Sequence, residues 1–321
     1  MLTFVSSPKP FKGIDKENQY RAIKSWILST ENAEVILYGD SAGIDQAGID
    51  LGVKVVKDVA STESGLPYFG AIADHAAIHG KYDTQVYLNC DILLCNLHEA
   101  AKAIGFPKFL AIGQRIDLAA ETFLDQHPAE YKEIINQLLT EGRVQMHETS
   151  GVDYFMFPRG LWNGVKQIVV GRGGYDNALL DFCKWNQYPI IDCTLSVIAL
   201  HQFHDYSHVK GNRDTVFFGA DAKQNIEAAG RYSFLSVADA DYILDNFQLQ
   251  EIACRGDYLR KTELKWRYHR KWKKGSLALR MVWRVLNAAK LIRKKELELA
   301  QLVQKGYAVF SVKQSTHQIN E

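Results

Sequence analysis

Gln85-Val86-Tyr87-Leu88-Asn89-Cys90-Asp91-Ile92-Leu93-Leu94 is the stretch on which the fold turns. A hydrophobic strand, Gln85–Leu88, enters a polar break and stops at a carboxylate, and apolar residues resume at once. On the N-terminal side the same grammar recurs. Leu2–Ser6 suits a strand, and Glu34-Val35-Ile36-Leu37-Tyr38 suits a buried strand that ends in Gly39-Asp40. Val53–Val56 suits a further short one. Between them Asp15–Leu28 reads as a helix, with Ile14, Ala22, Ile23, Trp26 and Ile27 on roughly one side. Pro67–His79 reads as another, with its proline near the first turn, where a missing N–H costs nothing. Strands alternating with helices predict an α/β fold, a mixed and mostly parallel sheet flanked by helices.

Further along, Phe109–Ile112, Tyr154–Phe157 and Gln167–Val170 read as strands, and residues 128–141 and Tyr175–Asn186 as helices. After about Gly230 the strands largely stop until Tyr307–Val312. Two regions are therefore expected: an α/β domain over residues 1–235 and a helical, basic C-terminal region over residues 236–321.

The composition excludes several classes. The chain has 321 residues, 47% hydrophobic and 23% charged, which argues against disorder, collagen or a coiled coil as a whole-chain description. Five cysteines occur without a CxxC pair, so neither a disulfide framework nor a zinc ribbon is expected. No apolar run approaches the roughly 18 residues of a membrane span. The N-terminus lacks a basic, cleavable leader, and a cytoplasmic protein is expected. The net charge of +1 hides an asymmetry: residues 255–296 carry fifteen Lys and Arg against three Asp and Glu, leaving an acidic remainder.

Open α/β sheets bind ligands beyond the carboxyl ends of their strands, and Asp40 and Asp91 sit at two such ends, where a nucleotide would lie. A carboxylate flanked by apolar residues needs a cation or hydrogen bonds. A divalent ion holding a diphosphate would satisfy Asp91, and so would a capping role on the next segment. In Gly171-Arg172-Gly173-Gly174-Tyr175-Asp176-Asn177 the glycines allow close backbone approach, and Asp176 lies in the first turn of a helix. There it either stabilises the helix end or serves as a general base toward an attacking hydroxyl. His201-Gln202-Phe203-His204-Asp205-Tyr206-Ser207-His208 places three histidines within eight residues, a pattern for a metal or phosphate, with Asp205 able to orient one ring. Ser6-Ser7-Pro8-Lys9-Pro10-Phe11 either holds a base and phosphates or is a proline-fixed turn. No dinucleotide GxGxxG, P-loop or HExxH motif is present.

Taken in order, these segments resemble the nucleotide-diphospho-sugar transferases of the GT-A glycosyltransferase fold. The resemblance is carried by residues 4–11, Ile36–Asp40, Tyr87–Ile92, Gly151–Leu161, Gly171–Asn177 and His201–His208, and covers about residues 1–230. It implies a Rossmann-like GT-A domain and a metal-dependent transfer of sugar from a nucleotide diphosphate donor to a hydroxyl acceptor, a glycan or a lipid. Asn89-Cys90-Asp91 would stand in the place of the family's DxD motif, with Asp91 as metal ligand and Asn89 replacing the first acid. His204, with His201 and His208 as alternates, would match the late histidine that helps bind Mn²⁺ or Mg²⁺. Asp40 would contact the nucleoside, Ser6 and Lys9 the donor, and Arg115 and Asp117 would lie beside a sugar. Asp176 would be the catalytic base. The altered DxD position leaves a second expectation, a non-catalytic GT-A-like protein that binds a membrane or a polyanion.

Lys265–Lys274 interleaves cations with Trp266, Tyr268 and Trp272, and an amphipathic pattern follows. Such a segment, over residues 260–295, suits the inner face of an anionic membrane, or else a helix docked on the acidic body. Nucleic-acid binding is not expected, since no RNA or DNA module is recognisable.

Overall fold

The structure, a computed structural model, describes residues 1–165, 167–204, 212–229, 235–251, 258–268 and 273–288. Thirteen strands occur among them: β1 Leu2–Ser6, β2 Ala33–Tyr38, β3 Lys54–Val56, β4 Thr84–Leu88, β5 Ile92–Cys95, β6 Leu110–Ile112, β7 Ile116–Leu118, β8 Val144–Met146, β9 Tyr154–Pro158, β10 Ile190–Asp192, β11 Ile198–His201, β12 Tyr242–Asp245 and β13 Gln248–Glu251. Nine form one sheet in the order β13-β12-β10-β6-β9-β4-β1-β2-β3, and four form a second in the order β5-β11-β7-β8. The large sheet is parallel except where β9 runs between β4 and β6 and where β13 folds back on β12.

Both faces of the large sheet are covered, which explains the unbroken apolar runs. Successive residues go to opposite sides. Phe4, Leu37, Val86, Leu88 and Met156 join one core with Trp26 of the helix Gly13–Leu28. Val5, Ile36, Tyr87, Phe155 and Phe157 join the other with Phe69 and Ile72 of the helix Phe69–His79. The second sheet lies on the first of these cores, contributing Leu93, Leu94, Ile116, Ile198 and Leu200. Trp26 is fully buried, and its indole N–H donates to the carbonyl of Ile92 at 2.7 Å, pinning β5 to that helix.

Several expectations shift. Pro67 lies outside the helix, in an isolated bridge with Ser61. Residues 128–141 divide into a 3₁₀ turn, Pro128–Glu130, and a helix, Tyr131–Thr140. Gln167–Val170 forms no strand; Val169 makes one bridge to Tyr68. Strands do not stop near residue 230, because β12 and β13 extend the large sheet beyond β10. The sheet therefore crosses the expected boundary at 235/236. The predicted strand Tyr307–Val312 lies outside the described residues.

The C-terminal helices Tyr258–Tyr268 and Lys273–Ala288 pack together around Glu263, which is fully buried. It accepts hydrogen bonds from Arg260 (2.9 Å), Arg267 (2.8 Å), Arg280 (3.3 Å) and Ser276 (2.9 Å). Arg260 also bonds Asp239, and the Tyr268 hydroxyl donates to Asp181 at 2.6 Å, so the first helix is docked on the body.

Candidate functional site

The second sheet brings the polar residues into a row. Antiparallel pairing sets His201 on β11 opposite Ile92, the neighbour of Asp91. Parallel pairing sets the same His201 beside Asp117 on β7, which in turn faces Gln145 on β8. The ladder continues past the strand ends. The Gln202 N–H donates to the Asp91 carbonyl at 3.3 Å, and the His147 N–H to the Arg115 carbonyl at 3.0 Å. Register thus fixes which side chains meet, since a slip of one residue would turn each to the other face.

Asp91 is the most enclosed member, 4% exposed. Its Oδ2 lies 2.8 Å from the Lys9 ammonium and 3.2 Å from Nε2 of His204. Its Oδ1 is buried and accepts no hydrogen bond, with His201 Nε2 standing 4.0 Å away. Burial by itself would push this carboxyl up. The Lys9 charge and the two imidazoles outweigh it and hold Asp91 well below the usual carboxylate range. One atom each from Asp91, His201 and His204 lies within 4.8 Å of the others, a set that could hold a metal ion. Two imidazoles with one carboxylate form a mixed donor set acceptable to first-row divalent ions.

Behind this cluster runs a second tier. Asp117 accepts from Nε of Arg115 at 2.8 Å and lies 2.6 Å from Nδ1 of His147 and 3.4 Å from Nδ1 of His201. Burial opposes ionisation of Asp117, but the histidines and Arg115 hold its pKa far below the ordinary value. Arg115 also pairs with the buried Asp153. Asp153 takes the side-chain amide of Asn89, whose own carbonyl oxygen accepts from the Tyr175 hydroxyl at 3.2 Å.

The expected residues do not all meet. Asp91, His201, His204 and Lys9 meet directly, and Arg115 and Asp117 adjoin them. Asn89 is turned onto Asp153 and Tyr175, away from the role of a second acid beside Asp91. Ser6 is corrected: it is fully buried and its hydroxyl donates to the Leu88 carbonyl at 2.7 Å, tying β1 to β4 with no surface left for a donor. Asp40 is exposed at the end of β2 and pairs with Lys57 at 3.1 Å. His208 and Asp205 lie outside the described residues.

Asp176 stands in the first turn of the helix Tyr175–Trp185. Its carboxylate accepts the N–H of Asn177 at 2.8 Å and that residue's side-chain amide at 3.1 Å. Burial dominates, with the Asp153 charge adding to it, and its pKa is pushed up to about 6. Two of the glycines before it, Gly173 and Gly174, serve packing. A Cβ on Gly173 would come within 3.1 Å of the Phe217 backbone, and Gly174, at φ +80°, faces Ile226. The buried side chain of Asn225 bonds both the N–H and the carbonyl of Val169 and clamps this loop.

Asp153, His147, Tyr175 and Asn225 are the polar residues that sequence reasoning did not single out. Asp153 had a signal, an acid between apolar Val152 and Tyr154 at a strand start. Beside the cluster lies a cleft of about 430 Å³, lined by Arg115, Asp117, Arg143, Gln145, Phe203 and the two histidines. That volume suits a small-molecule ligand.

No family profile matches the sequence, and no curated protein matches it. Solved structures do resemble it. Glucosyl-3-phosphoglycerate synthase from Mycobacterium tuberculosis, in complex with Mn²⁺, uridine-diphosphate-glucose and phosphoglyceric acid, is 14% identical, with TM-score 0.41, covering 71% of this chain and 78% of that one. A mannosyltransferase from Pyrobaculum calidifontis, in complex with GDP-Man and Mn²⁺, is 13% identical, with TM-score 0.38, covering 62% and 56%. Residues 1–349 of S. aureus TarS, in complex with UDP-GlcNAc, are 13% identical, with TM-score 0.41, covering 65% and 60%.

Proposed function

We propose that this chain is a metal-dependent glycosyltransferase that moves a sugar from a nucleotide diphosphate donor to a hydroxyl acceptor, a glycan or a lipid. The observation that carries this is the meeting of Asp91, His201 and His204 beside a cleft, with one buried oxygen of Asp91 lacking a hydrogen-bond donor. A divalent ion fits that deficit, Mn²⁺ better than Mg²⁺ because two of the three donors are imidazoles, and Asp91, His201 and His204 would hold it. When bound it supplies Lewis-acid stabilisation of the departing diphosphate. Lys9 adds a fixed positive charge on the same side, where phosphate charge accumulates. Arg115, held by Asp117 and Asp153, presents a guanidinium to the cleft wall. Asp176, with its pKa near neutrality, accepts the proton of the acceptor hydroxyl, and Asp40 contacts the nucleoside.

Calorimetry with UDP and GDP, with and without Mn²⁺, and a donor-hydrolysis screen across nucleotide sugars test this. Asp91→Asn is expected to lower turnover by roughly a hundredfold or more while the protein stays folded. Wild-type turnover in that variant rejects the assignment.

A second reading is a non-catalytic protein that binds the same donor, favoured by the closure of Asn89 onto Asp153 and Tyr175. Saturable binding without hydrolysis in the same experiments would select it.

Peripheral attachment to the inner face of a membrane is a separate proposal. No described helix is long and apolar enough to cross a membrane. Leu277, Met281, Val282 and Val285 are nevertheless 54%, 63%, 48% and 67% exposed, a stripe at helical spacing on Lys273–Ala288. Sedimentation with anionic phospholipid vesicles should retain the wild-type chain and release a Met281→Glu/Val285→Glu variant. Equal sedimentation of the two removes the proposal.

A further inference from the structure

We infer that Asp117 is a positioning residue for the ion site: its carboxylate fixes the tautomer and orientation of His201, so that Nε2 faces the space shared with Asp91 and His204. The inference rests on the proposed metal-dependent function. It adds a residue that does not itself touch the ion.

The geometry is specific. His201 and Asp117 are register partners across β11 and β7, so their side chains leave the sheet on the same face. Nδ1 of His201 lies 3.4 Å from Asp117 Oδ1, while Nε2, on the opposite side of the ring, is 4.0 Å from Asp91 Oδ1. An ionised carboxylate accepts and does not donate, so the ring proton of a neutral His201 is favoured on Nδ1, the nitrogen nearer Asp117. That leaves the Nε2 lone pair for an ion. A ligating imidazole whose second nitrogen is tied to a carboxylate is held in one orientation and made more basic. Asp117 is itself immobilised, by Arg115 at 2.8 Å and by His147 at 2.6 Å on its other oxygen. A loop carboxylate would have to be ordered at each binding event, whereas this one is fixed by strand pairing.

The experiment uses Mn²⁺ binding by calorimetry or electron paramagnetic resonance on the full chain, with no donor present. Asp117→Asn is expected to weaken Mn²⁺ binding by about 10- to 100-fold. Asp117→Glu should recover part of the loss. Nitrogen-15 NMR of His201 supplies an ion-independent readout. The wild-type ring should be the Nδ1–H tautomer, and Asp117→Asn should lose that preference. A folded Asp117→Asn variant with wild-type Mn²⁺ affinity overturns the inference, as does a wild-type His201 protonated on Nε2. If Asp117→Asn fails to fold, the wild-type tautomer decides. Should the wild-type chain bind no Mn²⁺, the metal reading falls, while the tautomer still tests the clamp.

Discussion

Two clusters of buried charge in this chain are balanced in opposite senses. At the end of the second sheet, Asp91, Asp117 and Asp153 face two permanent cations, Lys9 and Arg115. Between the C-terminal helices, Glu263 and Asp239 face three, Arg260, Arg267 and Arg280. The first cluster borders a cleft and contains a buried oxygen without a donor. In the second, both oxygens of the Glu263 carboxylate accept hydrogen bonds and the residue is fully enclosed. A carboxylate surplus beside open space suits reversible uptake of a cation. A carboxylate saturated by guanidinium groups instead welds helices together. The contrast also revises the account of the basic C-terminal segment. Three of its arginines point inward at one glutamate, and the outward face of the last described helix is largely apolar.

The largest effect is expected where the welded cluster is cut. Glu263→Ala leaves Arg267 and Arg280 buried or half-buried without their carboxylate, and should cost about 3–5 kcal/mol in urea unfolding. Limited proteolysis should then cut within residues 258–288 while Mn²⁺ affinity holds. A loss below about 1 kcal/mol would show that water rescues these arginines. A parallel fall in Mn²⁺ affinity would show that the two clusters are coupled.

A smaller effect of opposite sign is expected at Asp176. The pKa of Asp176 is raised in the folded chain to about 6, so the fold favours its protonated form and the ionised form carries a penalty above that pH. Asp176→Asn should therefore stabilise the protein by about 1–3 kcal/mol at pH 8. The gain should vanish near pH 4, where the carboxyl is protonated in the native chain. Wild-type turnover should fall as pH drops through 6 and should be largely lost in the variant at any pH. Thermal melts across this range settle the sign. A variant less stable than wild type at pH 8 would contradict the penalty.

The large sheet was legible because β1, β2 and β4 are buried on both faces and read as apolar runs that stop at polar residues. Asp91 and the histidines were legible for the same reason, as polar interruptions of apolar surroundings. The second sheet was not. Its strands have three or four residues each, and its pairings join segments far apart in sequence. The Asp117 clamp and the Asn89–Asp153–Arg115 relay depend on those pairings, so no local pattern announces them. The β12–β13 hairpin was missed because its turn residues Asn246 and Phe247 have φ of 48° and 57°. Such turns are normally signalled by Asn-Gly, and a phenylalanine in the left-handed region hides the signal. The glycines of Gly171–Gly174 were read as making room for a ligand; Gly173 and Gly174 instead make room for neighbouring helices, whereas Gly171 faces open space.

The pairing of β5 with β11 has a consequence for biosynthesis. The oxygen donor at Asp91 and the nitrogen donors at His201 and His204 come from segments more than a hundred residues apart in sequence. A ribosome-bound chain that has not yet extruded β11 carries Asp91 and Lys9 but none of the imidazoles. On the proposed metal reading, ion capture would wait until β11 has emerged, and a truncated product ending before residue 198 would be unable to sequester metal through this triad.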